Sequence, residues 1–286
     1  MKQKKCYLCG KQNFIAIKSG VRDMVDIRVL KCNSCGLVFL SSFDHIKKNF
    51  YEESKVHGEF PLDLTTWIKV TEDNDERRYQ NLCGIIKGKS LLDFGAGTCN
   101  FLRKASSVAK RAIGIEPEKR VRETLSSSVE LHKDVSDIKD TKFDVITMFH
   151  VIEHLVEPKI ILSKLCDLLN DEGIVHIETP NADDILLSSY ENKAFMDSTY
   201  WSCHTFLYNC LTLSLLAYQS GLKCNYIKGM QRYPLSNHLY WLVKDKKEGH
   251  KHWNFLNSDK LNNEYEKQLQ ILGKCDTIVG SFSKLI

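Results

Sequence analysis

The middle of the chain alternates two hydrophobic rhythms. Short apolar runs occur at Ser90–Phe94, Ala112–Ile115, Phe143–Met148 and Gly173–Ile177, and stretches with helical spacing, such as Pro158–Leu169 and Leu211–Gly221, lie between or after them. Apolar strands separated by helices predict a parallel sheet covered on both faces. The fold class expected is therefore α/β, a doubly wound, mostly parallel sheet over residues 89–286. Lys223–Met230 and Asp276–Ser283 also read as strands. If they pair as the last two strands, residues 234–273 form a helical insertion between them, a lid.

The pattern changes toward the N-terminus. Residues 41–88 form a polar connector with one charged helix expected around Thr66–Lys87. Residues 1–40 hold Cys6-x-x-Cys9-Gly10 and Cys32-x-x-Cys35-Gly36. Each pair presents two thiolates from one tight turn, and the glycine after it relieves that turn. Four thiolates close a tetrahedral site with no open position, so a structural zinc held by Cys6, Cys9, Cys32 and Cys35 is expected, in a small ribbon. A redox dithiol or an iron–sulfur site has no need of two knuckles flanking a β-rich loop. Leu37–Phe39 and Phe14–Ile17 are apolar enough to dock the ribbon on the main domain.

Composition narrows the class further. The 11 cysteines are an odd number with four in metal spacing, which argues against a disulfide framework and for a reducing cytoplasm. Lys and Arg total 40 against 36 Asp and Glu, a net charge of +4 spread along the chain. Without a basic stripe carrying interleaved aromatics, nucleic acid is not the expected partner. No stretch approaches the roughly 18–20 apolar residues that span a bilayer, and no apolar segment follows the charged start, so neither membrane insertion nor secretion is expected.

Candidate chemistry begins at Asp93-Phe-Gly95-Ala-Gly97-Thr-Cys99, which follows a strand and opens a helix. Glycines here let the backbone turn tightly and approach a nucleoside. Glu116 ends the next strand, where a carboxylate can accept hydrogen bonds from both ribose hydroxyls. Asp93 precedes the first glycine and the G-x-G-x-x-G spacing is absent, so this is not the dinucleotide fingerprint. The turn resembles instead the first motif of the Rossmann-like methyltransferases that use S-adenosylmethionine. Phe143–Leu155, ending in Glu153-His154-Leu155, is similar to that family's fourth strand and following loop. Glu178-Thr-Pro-Asn181 is similar to its loop after the fifth strand, and His204–Gly221 to the segment where a His precedes an aromatic and a helix.

The resemblance covers about residues 89–233. It implies an S-adenosylmethionine cofactor held by Asp93, Gly95, Gly97 and Glu116, with Asp134 toward the adenine amino group. Cys99 departs from the pattern, because the family often has a third Gly there. The layout is also similar to sugar C-methyltransferases whose N-terminal zinc module helps shape the substrate site.

Methyl transfer needs in-line attack by the acceptor, and a base if the acceptor is a hydroxyl or an acidic C–H. Ligands lie at the carboxyl ends of the strands. The candidate bases there are His150 and His154, flanking the exit of strand four, and His204, the preferred one. Tyr51 is a candidate to close over the cofactor. Region 231–255, with Arg232, Tyr233, Asn237, His238, Tyr240, Trp241, His250, His252 and Trp253, suits either a polar ligand or the core of a helical cap.

The expected function is S-adenosylmethionine-dependent methylation of a small polar acceptor, foremost a sugar, nucleotide-sugar or surface-glycan precursor. One alternative is an RNA or protein methyltransferase using the ribbon for recognition. The missing basic stripe counts against RNA, as does Glu178-Thr-Pro-Asn181 in place of an Asn-Pro-Pro-Tyr loop. The other alternative is a non-catalytic cofactor-binding module, and the intact Asp93, Gly95, Gly97 and Glu116 count against it.

Overall fold

The computed structural model describes residues 5–47, 49–52, 64–139 and 141–285, so part of the expected connector, 53–63, lies outside the described residues. Three strands come first: β1 (Phe14–Lys18), β2 (Val29–Cys32) and β3 (Val38–Leu40), paired as an antiparallel meander. The knuckles sit before β1 and between β2 and β3. Gly10 and Gly36 take φ of +71° and +85°. Their N–H groups donate back to the carbonyls of Cys6 and Cys32 at 2.9 and 2.8 Å, which closes each turn. The helix expected at 66–87 is α1 (Leu64–Ile86).

Strand and helix then alternate: β4 (Ser90–Phe94), α2 (Asn100–Ser106), β5 (Arg111–Ile115), α3 (Lys119–Leu125), β6 (Glu130–His132), β7 (Phe143–Phe149), α4 (Pro158–Asp167) and β8 (Leu169–Pro180). Next come α5 (Ile185–Ser188), α6 (Lys193–Thr199), β9 (Phe206–Leu207), α7 (Cys210–Gln219) and β10 (Leu222–Met230). The chain ends with α8 (Leu235–Lys244), α9 (Gly249–His252), α10 (Asp259–Leu272) and β11 (Thr277–Lys284).

The large sheet runs β10-β11-β8-β7-β4-β5-β6. Strands β8, β7, β4, β5 and β6 are parallel, and β11 runs antiparallel between β10 and β8. This is the mostly parallel α/β sheet that the hydrophobic pattern predicts. Glu178–Pro180, expected in a loop, instead continue β8, because β11 supplies partners as far as Thr277 opposite Pro180.

Side chains alternate across the sheet. Leu91 and Val145 face α1 and α2, packing with Leu82, Ile86 and Leu102. Leu92, Ile146 and Met148 face the other layer, with Leu162, Leu165, Leu213 and Leu216. The chain leaves β4 for β5 and β6 on one side, then returns to β7 on the other. Such a reversal of strand order opens a crevice at the carboxyl ends.

The meander is not free-standing. Strand β3 pairs antiparallel with β9, Val38 opposite Leu207 and Phe39 opposite Phe206. The Leu40 N–H donates to the Thr205 carbonyl at 3.0 Å. The Phe206 ring centroid lies 5.1 Å from that of Tyr7 and 5.2 Å from that of Phe43. Ser202 Oγ and N donate to the Asp23 carboxylate at 2.6 and 3.0 Å. Among the described residues, no helix is long and apolar enough to cross a membrane.

Candidate active site

A cavity of about 540 Å³ opens at the carboxyl ends of β4, β5 and β7, a size suited to a cofactor-like ligand. Its floor is the glycine turn. Gly95 and Gly97 have φ of +81° and +50°, a region that L side chains enter only under strain. A Cβ on Gly95 would stand 2.3 Å from Val151 Cγ2, whereas the nearest atom to one on Gly97 is Trp67 at 3.9 Å. Gly95 therefore lets the turn pack on the exit of β7, and Gly97 leaves backbone open to the cavity. Cys99 also takes the left-handed conformation, φ 58°, at a cost of about 1–2 kcal/mol, offset by full burial of its side chain. Gly95→Ala is expected to lower folding stability by about 1–3 kcal/mol, since it adds strain and overpacking together. A urea melt checks this, and an unchanged midpoint would contradict it.

Glu116 reaches into this turn. Its Oε2 accepts from Gly97 N and its Oε1 from Glu118 N, both at 2.8 Å. Each oxygen retains a lone pair for a ligand. Burial pushes its carboxyl up to about 7, although these hydrogen bonds pull it down. Asp93 is 2% exposed and accepts from Thr147 Oγ1 at 2.7 Å. Burial pushes it up to about 7 as well. Asp134 lines the cavity but is also engaged locally, its Oδ1 accepting from Ser136 N at 2.9 Å and Oγ at 2.8 Å.

Helix α1 contributes a wall that the sequence reading missed: Trp67, Thr71, Asn74, Asp75 and Arg78. Their spacing of three and four residues puts them on one helical face, which is the signal that could have found them. Arg78 donates to Asp75 Oδ1 and to Glu178 Oε1, both at 2.8 Å. Arg77 donates to the two oxygens of Glu178 at 2.9 and 3.1 Å. Glu178 is 1% exposed. Burial would raise its carboxyl, but contacts with His150, Arg78 and Arg77 hold it well below the usual carboxylate range.

The three candidate histidines are brought together, but only two line the cavity. His150 has φ +54°, and its N–H donates to the Glu178 carbonyl at 2.7 Å. Its Nε2 lies 2.8 Å from Arg232 Nη1. Arginine can only donate, so Nε2 is the acceptor. His154 Nδ1 contacts the Cys203 carbonyl at 2.9 Å. Tyr51, also in the cavity wall, donates to the His154 carbonyl at 3.0 Å.

His204 is not among the lining residues. Its ring packs 5.0 Å from that of His154 and 5.6 Å from that of Trp201, and burial lowers it to about 4. Among the described residues, none of 234–273 lines the cavity either. From 231–255 only Arg232 reaches it. The aromatics there satisfy one another. Tyr240 stacks on His252 at 5.3 Å, and His238 Nδ1 contacts Tyr265 OH at 2.8 Å.

At the other end of the fold, Cys6 Sγ is 3.5 Å from Cys35 Sγ and Cys9 Sγ is 3.6 Å from Cys32 Sγ. All four are free thiols with sulfurs within 4.8 Å of one another, too far apart for disulfides at about 2.05 Å. They have the donor set of a metal site.

Residues 71–227 match the family of methyltransferase domains. Among solved structures, a SAM-dependent methyltransferase from Archaeoglobus fulgidus is similar at 15% identity and TM-score 0.54, covering 78% of this chain and 100% of that one. A chain from the complex of the Haloferax volcanii Trm112 methyltransferase activator with a methyltransferase has 12% identity and TM-score 0.53, covering 78% and 97%. A Thermotoga maritima SAM-dependent methyltransferase, described as a possible histamine N-methyltransferase, has 17% identity and TM-score 0.51, covering 79% and 96%. At these identities the likeness is one of fold. No curated protein matches the chain.

Proposed function

The chain belongs to the methyltransferase-domain family and is a SAM-dependent enzyme of that general kind; from that premise we propose that it methylates a small polar acceptor, foremost a sugar, nucleotide-sugar or surface-glycan precursor. The observation that carries the cofactor part is Glu116 beside the open backbone of Gly97. Both carboxylate oxygens keep lone pairs for the two ribose hydroxyls. Gly95 and Gly97 hold the methionine end, Asp134 meets the adenine amino group, and Asp93 braces the turn through Thr147. When bound, the cofactor supplies an electrophilic methyl group. The chain supplies position and the exclusion of water. Of the candidate bases, His150 and His154 line the cavity and would handle the acceptor, with His204 packed behind His154, and Arg232 and Tyr51 at the same wall suit a polar one.

Calorimetry tests the cofactor assignment. Glu116→Ala should lose roughly 1–3 kcal/mol of S-adenosylmethionine affinity, the scale of hydrogen bonds to a charged acceptor. Equal affinity in the variant would remove Glu116 from the site. Mass spectrometry of nucleotide-sugars incubated with methyl-labelled cofactor tests the acceptor, and label found in RNA or protein instead would overturn it.

We also propose that Cys6, Cys9, Cys32 and Cys35 hold a structural zinc, with 1–40 as the ribbon, 89–286 as the methyltransferase domain and 234–273 as a helical cap. Four sulfurs about 2.3 Å from one ion stand about 3.8 Å apart, close to the 3.5 and 3.6 Å separations here. Eleven unpaired cysteines support a cytoplasmic setting.

A further inference from the structure

We propose that Glu153, His154 and His204 form a second metal site at the cavity wall, which binds a divalent transition-metal ion and, through it, an acceptor hydroxyl. The acceptor part rests on the methyltransferase reading; the metal site does not. One ligand atom from each of the three residues lies within 4.8 Å of the others.

The hydrogen bonds around them point the same way. His154 Nδ1 meets the Cys203 carbonyl and His204 Nδ1 meets the Thr199 carbonyl, each at 2.9 Å. A carbonyl can only accept, so both Nδ1 atoms carry the proton and both Nε2 atoms carry a lone pair. Metal-binding imidazoles are commonly fixed in this way.

Glu153 is 1% exposed. Its Oε2 accepts from Thr179 Oγ1 at 3.0 Å. Its Oε1 makes no aligned hydrogen bond, and His150 Nδ1 stands 3.2 Å away. Two imidazole lone pairs and a buried carboxylate oxygen without an aligned hydrogen bond make a donor set for a cation. A cation among them satisfies all three.

The donor set selects the ion. Two imidazoles and a carboxylate suit zinc, iron or manganese, whereas magnesium and calcium take oxygen ligands. Three protein ligands leave positions open, as catalytic sites do and four-thiolate sites do not. Of the three, His154 lines the cavity, and the proposal puts the acceptor on that side of the ion. A hydroxyl bound there gives its proton to cavity water near neutral pH and keeps its electron pair, because the ion stabilises the oxyanion. The class of reaction implied is O-methylation, with His154 and His204 as ligands and the ion as the group that acidifies the acceptor.

The test is a titration with Co²⁺ of protein that carries a single zinc per chain, on the four thiolates, read by visible absorption. One Co²⁺ per chain is expected, with the weak d–d bands of nitrogen and oxygen ligation. Glu153→Gln and His204→Asn should each weaken binding by roughly 100-fold, at the upper end of losses seen for supporting residues alone. S-adenosylmethionine affinity should persist in both variants, since neither residue lines the cavity, and this reports that the fold is intact. Absence of d–d bands would overturn the site. So would intense thiolate charge transfer alone, or bands unchanged in both variants. Elemental analysis of wild type dialysed against zinc is a check without mutation: two ions per chain support the site, one overturns it. Co²⁺ binding with no cofactor binding would sink the methyltransferase reading and leave the metal site standing. A product methylated on nitrogen or carbon would overturn the hydroxyl assignment.

Discussion

Glu178→Ala is expected to cost about 3–5 kcal/mol of folding stability, because it strands a buried charge. Glu178 and Asp75 both pair with Arg78, whose side chain is 11% exposed, against 29% for Arg77. With Glu178 gone, Arg77 can turn to water and Arg78 cannot. The pair also staples α1 to the end of β8. Urea denaturation measures the loss, and a change under about 1 kcal/mol would mean that solvent reaches the site freely. Glu178→Gln keeps the shape and should recover part of the loss.

The same group sets a response to acid. Its folded pKa lies well below its unfolded value of about 4.3. The stability it contributes is full above that value and is lost as pH falls through the folded pKa. Asp93 and Glu116 act in the opposite sense. Raised to about 7 in the folded protein, they hold protons that the unfolded chain has released, so they lower stability as pH climbs from about 4 to about 7.

Removing the zinc proposed at Cys6, Cys9, Cys32 and Cys35 is expected to have the other large effect. Metal binding to isolated zinc modules is worth about 10–16 kcal/mol at neutral pH, comparable with the whole stability of an ordinary domain, about 5–15 kcal/mol. Cys32→Ser, or a strong chelator, should therefore unfold residues 5–47. The effect should spread to 200–207, because Asp23 holds Ser202 and β3 holds β9. Amide hydrogen exchange checks this: both segments should lose protection together. A protected 200–207 segment in the metal-free protein would show that the joint holds without the ribbon.

Legibility followed burial. Ser90–Phe94 announces β4 as a continuous apolar run because central strands are covered on both faces. Strand β6, Glu130–His132, has one apolar residue at the sheet edge and leaves no such mark. The thiol cluster and the glycine turn were legible because each depends on residues close in sequence. Arg78 was not, because its partner Glu178 stands a hundred residues away and the pairing exists only in the folded chain. The position of His204 was also hidden. Its ring direction depends on a loop held by Asp23 and β3, which no local pattern reports. The aromatics of 231–255 show the limit of composition: Tyr240, His252 and His238 suit a ligand and suit other side chains equally, and here Tyr240 meets His252 while His238 meets Tyr265.

The joint between β3 and β9 has a consequence for synthesis. Phe206 follows Leu40 by 166 residues. At about 5–20 residues per second, the partner emerges roughly 10–30 s after β3 does. The knuckles can close on metal early, yet Val38-Phe39-Leu40 waits all that time with an unpaired edge, a template for any other nascent strand. The first part of the molecule able to fold is thus among the last able to dock, and crowded translation is the condition under which this chain is most exposed to mispairing.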